Sequence, residues 1–216
     1  MSTAASQPHS RLIAQAAKEI LAPLGVFQRG RSRTWLDDHG WWLAVVEFQP
    51  SSWSKGSYLN VGVMWLWSEE NHFFFEVDHR VEQFVQYKSE AQFLPEARRL
   101  ALSARERVLE FRDRFSSIAA ATEFLTTRAQ SSRDPWQLFH AGVAAGYTDK
   151  VDEARACFAK LMEKTPVYDW EKTLHAKTHD FMELLNNPLA FKTRIEEAVR
   201  STRKLLKVPE RPIAIS

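Results

Sequence analysis

The sequence predicts an α+β fold: an antiparallel sheet of four to five strands with an N-terminal helix and a long covering helix, followed by a helical C-terminal part. Three observations carry this. Aromatic and β-branched residues concentrate between Phe27 and Trp67, where Trp35, Trp41, Trp42, Trp53, Trp65 and Trp67 are six of the eight tryptophans, a composition suited to strands. Apolar residues recur at helical spacing on either side of that region. The connections between the expected strands are too short for parallel crossovers.

From Ser10, an N-cap residue type, Leu12, Ile13, Ala16, Ala17, Ile20 and Leu21 repeat every three or four residues, and Pro23 and Gly25 end the helix. Residues 1–9 are expected to be a loose tail. Strands are expected over 31–37, 41–49, 57–67 and 72–78, with 81–87 as a possible fifth. Asp37-Asp38-His39-Gly40 is a hairpin turn, because Gly supplies φ > 0 and Asp bonds its own backbone. Pro50 to Gly56 is a longer loop, opened by a residue that cannot donate to a ladder. Neither face of 41–49 or 57–67 is cleanly polar, so the sheet is expected to be covered on both sides.

Leu94, Ala97, Ala101, Ala104, Val108, Phe111 and Phe115 form the apolar seam of the covering helix, with Pro95 in its first turn. Residues 117–127 extend it or form another short helix. After a polar break at 128–134, helices are expected over 135–146, 151–164, 168–185 and 189–207, separated by Gly146, Pro166 and Asn186-Asn187-Pro188. Residues 208–216 are expected to be extended. The domain reading is a sheet domain over 10–127 and a helical part over 135–207 that either stands alone or packs with the first as one unit.

At 216 residues the chain suffices for one full domain or two small ones. Its 44% hydrophobic and 26% charged content excludes wholesale disorder and low-complexity classes. A net charge of +2 is too balanced to predict nucleic-acid or anionic-membrane binding, so any basic surface has to be local. The lone Cys157 cannot form an intrachain disulfide, which favours a reducing, cytoplasmic setting. The apolar runs at 41–46 and 61–67 fall far short of the roughly 20 residues of a membrane span, and the first ten residues lack the basic region of an export signal.

Arg31 to Leu36, and above all Phe48-Gln-Pro-Ser-Ser-Trp-Ser-Lys-Gly-Ser-Tyr-Leu-Asn-Val-Gly62, together with Pro23-Leu24-Gly25-Val26-Phe27, resemble a bacterial family, the domain of unknown function 4304. The resemblance covers residues 12 to 125. It implies a shared fold and, the family being uncharacterised, supplies no activity. Residues 135–168, with Gly142-Val-Ala-Ala, Ala154, Phe158 and Pro166, are weakly similar to a single tetratricopeptide-like helical hairpin.

The strongest candidate surface is the set around residues 49–60. Gln49, Ser51, Ser52, Lys55 and Asn60 place amide, hydroxyl and ammonium groups beside Trp53 and Tyr58, a mixture that stacks on and hydrogen-bonds to a partner. The alternative is a structured loop with Trp53 folded onto the core. Arg31 and Arg33, sharing a strand face with Trp35, would add positive charge suited to a phosphate or carboxylate; the alternative is solvated charge at a sheet edge.

His175 and His179 share a helix face without a third metal ligand, and Cys157 falls in an apolar phase. No nucleophile elbow, phosphate loop or dinucleotide fingerprint is present. No catalytic residue, metal or cofactor is therefore assigned. The function read from these features is a non-enzymatic binding module for a protein partner or small polar ligand, in its most specific form a toxin-neutralising or conflict-system protein. The alternative is an enzyme acting on a small anionic substrate through Arg31, Arg33, Gln49, Ser51 and Asn60.

Overall fold

Proline fixes φ and needs no helical donor, which suits it to the first position of a helix. In the computed structural model, which describes residues 7–212, α1 (Pro8–Leu21) accordingly starts two residues ahead of Ser10. It buries Leu12, Ile13, Ala16, Ala17 and Leu21, and Gly25 ends the turn after it in the left-handed region at φ 84°.

Five strands follow in antiparallel sequence order: β1 (Phe27–Gln28), β2 (Thr34–Asp38), β3 (Trp42–Glu47), β4 (Gly56–Trp65) and β5 (Arg80–Gln86). The Asp37 to Gly40 hairpin forms as expected, with the Gly40 N–H donating to Asp38 Oδ1. Two expected strands differ. The strand expected over 31–37 begins at Thr34, because Gly30 at φ 57° and the Ser32 hydroxyl, donating to the Arg29 carbonyl, fold 29–32 into a turn. That turn returns Phe27 and Gln28 to pair with Leu36 and Trp35 as a strand not expected from the sequence. Residues 72–78 form no strand. Only Val77 bridges to Val63, and Asp78, left-handed at φ 58°, interrupts the ladder, which resumes where the Val61 N–H donates to the His79 carbonyl just ahead of β5.

The structure divides into two compact units. One comprises the described residues up to Met64 together with Phe73–Asp113; the other comprises Trp65–His72 and the described residues from Arg114. In the first, nearly all of β2, β3 and β4 is buried on both faces. Helix α2 (Glu90–Arg114) starts earlier than the seam suggests, because Ser89 caps it by accepting from the Gln92 N–H. Pro95 is therefore inside the helix rather than in its first turn. Ala97, Ala101, Ala104, Val108 and Phe111 of the seam are buried, and Phe93 takes the place expected of Leu94. Helix and sheet meet at a charge pair: Arg112 donates to both oxygens of Asp37, at 2.9 and 2.6 Å.

The second unit contains α3 (Ile118–Ser131), α4 (Pro135–Tyr147), α5 (Val151–Met162), α6 (Asp169–Leu184) and α7 (Pro188–Leu206). Helix α3 runs through most of the expected 128–134 break, which narrows to 132–134. Its core is a run of rings, Phe139, Phe158, Phe181 and Phe191, with successive centroids 6.4, 6.5 and 5.3 Å apart. Gly142 and Gly146 make room for it: a Cβ on Gly142 would lie 2.3 Å from the Phe158 ring. Trp67 donates to His140 Nδ1 at 2.9 Å. Cys157 is half-buried, and burial pushes its thiol pKa up, away from a reactive thiolate. No helix among the described residues is long and apolar enough to cross a membrane.

Two carboxylates make the fold acid-sensitive. Burial raises the Asp37 pKa, but hydrogen bonds from Arg112 and His39 more than offset it and leave it below its usual value. Glu171 is held down to about 2 by the Lys164 ammonium and by the N–H groups of Tyr168 and Val167. A depressed carboxyl pKa contributes stability that is complete above the unfolded value and lost as pH falls through the folded one. Glu171→Gln is expected to flatten the acid limb of urea stability between about 4.5 and about 2. Arg112→Leu strands a buried carboxylate and is expected to cost about 3 kcal/mol at pH 7 by chemical denaturation.

Candidate functional site

The loop between β3 and β4 is shaped by what its ends cannot do. Pro50 has no N–H to offer a ladder. Gly56 approaches β5 so closely that a Cβ would lie 2.1 Å from the Val85 carbonyl oxygen. The loop is pinned where the Tyr58 N–H donates to the Gln49 carbonyl and the Tyr87 N–H to the Lys55 carbonyl. Within it, the Ser51 hydroxyl oxygen accepts from the Trp53 N–H. Trp53 is 94% exposed, so its ring is not folded onto the core.

Loop, strand lead-in and helix start together border an open hollow of about 440 Å³. Five of the sequence candidates line it: Arg33, Ser51, Ser52, Trp53 and Lys55. The first turn of α1 adds His9 and Ser10, and among the described residues no carboxylate lines it. Arg33 reaches across, donating to the Gly56 carbonyl at 3.2 Å and to Ser10 Oγ at 2.5 Å. Both acceptors are neutral, and neither Arg33 nor Lys55 is ion-paired among the described residues. Burial lowers the Arg33 pKa, as expected of a guanidinium without a counter-ion.

His9 is buried against the rings of Tyr87 and Phe93, at 5.7 and 6.5 Å. Desolvation, followed by the charges of Arg33 and Lys55, lowers its pKa. Its Nδ1 has no hydrogen-bond partner among the described residues. A partly dehydrated, net positive recess of this kind accepts anions.

Gln49, Tyr58 and Asn60 belong to a different cluster, and none of them lines the hollow. The register places Asn60 opposite Arg80 on β5. Its amide donates to Glu47 Oε2 at 2.8 Å and Gln49 Oε1 at 3.1 Å. Arg80 donates to the same Gln49 oxygen at 2.9 Å, and its guanidinium lies 4.0 Å from the Tyr58 ring centroid. Cross-strand partners thus satisfy the amide N–H groups of the buried Asn60, while its Oδ1 has no hydrogen-bond partner among the described residues.

Arg31 does not share a strand face with Arg33 and Trp35. It is an exposed turn residue, because β2 begins only at Thr34, and it meets Arg33 and Trp35 instead at a small recess of about 90 Å³ that all three line. The single nine-residue candidate set therefore splits: five residues at the hollow, three in the row or beside it, and Arg31 at a second, smaller recess that it shares with Arg33. Among the described residues no group of three His, Cys, Asp or Glu could hold a metal ion. His179 lies exposed, 3.8 Å from Glu183.

Sequence reasoning missed His9 and Ser10, which sit in an unrelated helix, and Glu47 and Arg80 as partners of Asn60. Strand register is the signal that would have paired Glu47, Asn60 and Arg80, since all three become neighbours once 58 faces 49. No protein-family model matches the chain, and no curated protein or solved structure is significantly similar to it.

Asn60→Leu keeps the γ-branched outline with somewhat more bulk and leaves Glu47 and Gln49 facing an apolar group. It is expected to cost about 1–3 kcal/mol in urea denaturation, while leaving the hollow and its ligand response unchanged.

Proposed function

We propose that the chain is a binding module that uses the hollow between the 50–55 loop and the first turn of α1 to hold an acidic group of a small polar ligand. One observation carries the reading: Arg33 and Lys55 border the same recess with no carboxylate in its lining. A half-buried guanidinium in this setting lacks the compensation that structural guanidinium groups normally receive. An anion supplies that compensation. The half-buried guanidinium, whose unused N–H groups face little competition from water, gives the recess more strength than a fully solvated basic patch.

Trp53 adds a rigid apolar plane at the rim, suited to the body of a ligand whose charged end enters the hollow. Several properties point the same way. The lone Cys157 supports a reducing, cytoplasmic setting. The resemblance of residues 12–125 to the domain of unknown function 4304 family includes this loop, which makes the recess a feature to look for in such proteins.

The test is thermal unfolding in acetate, sulfate and phosphate at constant ionic strength, set against chloride. Saturable stabilisation by at least one of these anions is expected, and it should be lost in Lys55→Met, whose side chain is exposed and unpaired. An identical response in the wild type and Lys55→Met would overturn the reading.

A further inference from the structure

We propose that the acidic group held in this hollow is a phosphoryl group, gripped by Arg33 and Lys55 and oriented by the hydroxyls of Ser10 and Ser51. The inference rests on the anion-binding reading and names its ligand class. It follows from how the donors are directed.

Ser10 Oγ already accepts from Arg33, and Ser51 Oγ already accepts from the Trp53 N–H. With one lone pair of each engaged and no acceptor taking the O–H among the described residues, both hydroxyls have their hydrogen to give to a ligand. They stand on separate segments, Ser10 in α1 and Ser51 in the loop, while Arg33 precedes β2 and Lys55 precedes β4. Donors from four chain segments converge on one recess with no lining carboxylate to compete for them.

A carboxylate presents two oxygens in one plane, and a single guanidinium fork satisfies it. A phosphoryl group presents three terminal oxygens spread about a tetrahedron, with more charge at neutral pH. It can accept from the fork, the ammonium and both hydroxyls at once. The donor set exceeds what a carboxylate uses and fits what a phosphoryl group needs.

The start of α1 contributes in the same sense. The first N–H groups of a helix carry partial positive charge, which favours phosphate; in α1 Pro8 has no N–H and the Ser10 and Arg11 N–H groups donate to the Gln7 carbonyl, so this contribution falls to the His9 N–H. Gln7 at the N-cap position supplies no side-chain cap. The independent observation at this end is His9, buried, lining the hollow, and leaving Nδ1 without a partner among the described residues. Burial first, and then the charges of Arg33 and Lys55, lower its pKa, and those charges are the ones a bound phosphoryl group would neutralise.

The experiment is isothermal titration of the full chain with inorganic phosphate, methyl phosphate, sulfate and acetate at pH 7.5 and constant ionic strength. Phosphate and methyl phosphate are expected to bind at least tenfold more tightly than acetate. Lys55→Met should weaken phosphate about tenfold or more, the scale of a lost charged hydrogen bond. Ser10→Ala with Ser51→Ala should lower the phosphate-to-acetate ratio severalfold while leaving acetate affinity nearly unchanged. Arg33→Met also removes contacts to Ser10 and Gly56, so the exposed Lys55 variant, checked by circular dichroism, serves as the deciding one. Acetate binding as tightly as phosphate, or a ratio untouched by the double serine variant, would overturn the phosphoryl assignment and leave the anion-binding reading standing. Failure of every anion to bind would overturn both.

Discussion

Desolvation of the middle of the sheet is the constraint from which most of the first unit follows. Because β2, β3 and β4 are buried on both faces, a polar side chain there has to bring its partner with it. Asp37 does so through Arg112, which ties α2 to the sheet at the same time. Asn60 does so through Glu47 and Gln49. Most polar groups in the sheet interior are therefore spoken for, Asn60 Oδ1 being an exception among the described residues, and cations without an acidic partner are displaced to the end of the sheet, where the 50–55 loop meets the start of α1.

That displacement explains why the hollow is electrostatically different from its surroundings. The unit carries many acids, yet Glu82 answers Arg99, Asp78 lies near Arg107, and Asp37 answers Arg112. Local pairing consumes them, and none lines the recess containing Arg33 and Lys55. A net charge near balance is thus compatible with a positive site, since the field at a recess is set by the charges that line it.

The second unit solves its packing by different means. Phenylalanine rings run through it, and glycines at two helix positions let rings approach the backbone of α4. Several of its buried polar groups are again partnered, Trp67 with His140 and Glu171 with Lys164 and two backbone N–H groups, while Ser68 Oγ has no partner among the described residues. Glu171 acts as the clasp of the turn entering α6, which is why its carboxyl stays ionised to such low pH.

Composition and periodicity were enough to place the helices, the tryptophan-rich antiparallel strands and the turn at Asp37 to Gly40, because these rest on interactions between residues close in the chain. The same information brought Ser51, Ser52, Trp53 and Lys55 together, since one loop holds them. It misplaced Arg31, extended 72–78 into a strand and merged the Asn60 row with the loop. A left-handed residue at Asp78, the turn at 29–32 and the register between strands were settled only by the packed structure. The joining of His9 and Ser10 to Arg33 and the loop was likewise tertiary. Nothing local links position 9 to position 55; they meet because α1 docks where β4 begins, and the energy that brings them there is apolar burial elsewhere in the unit.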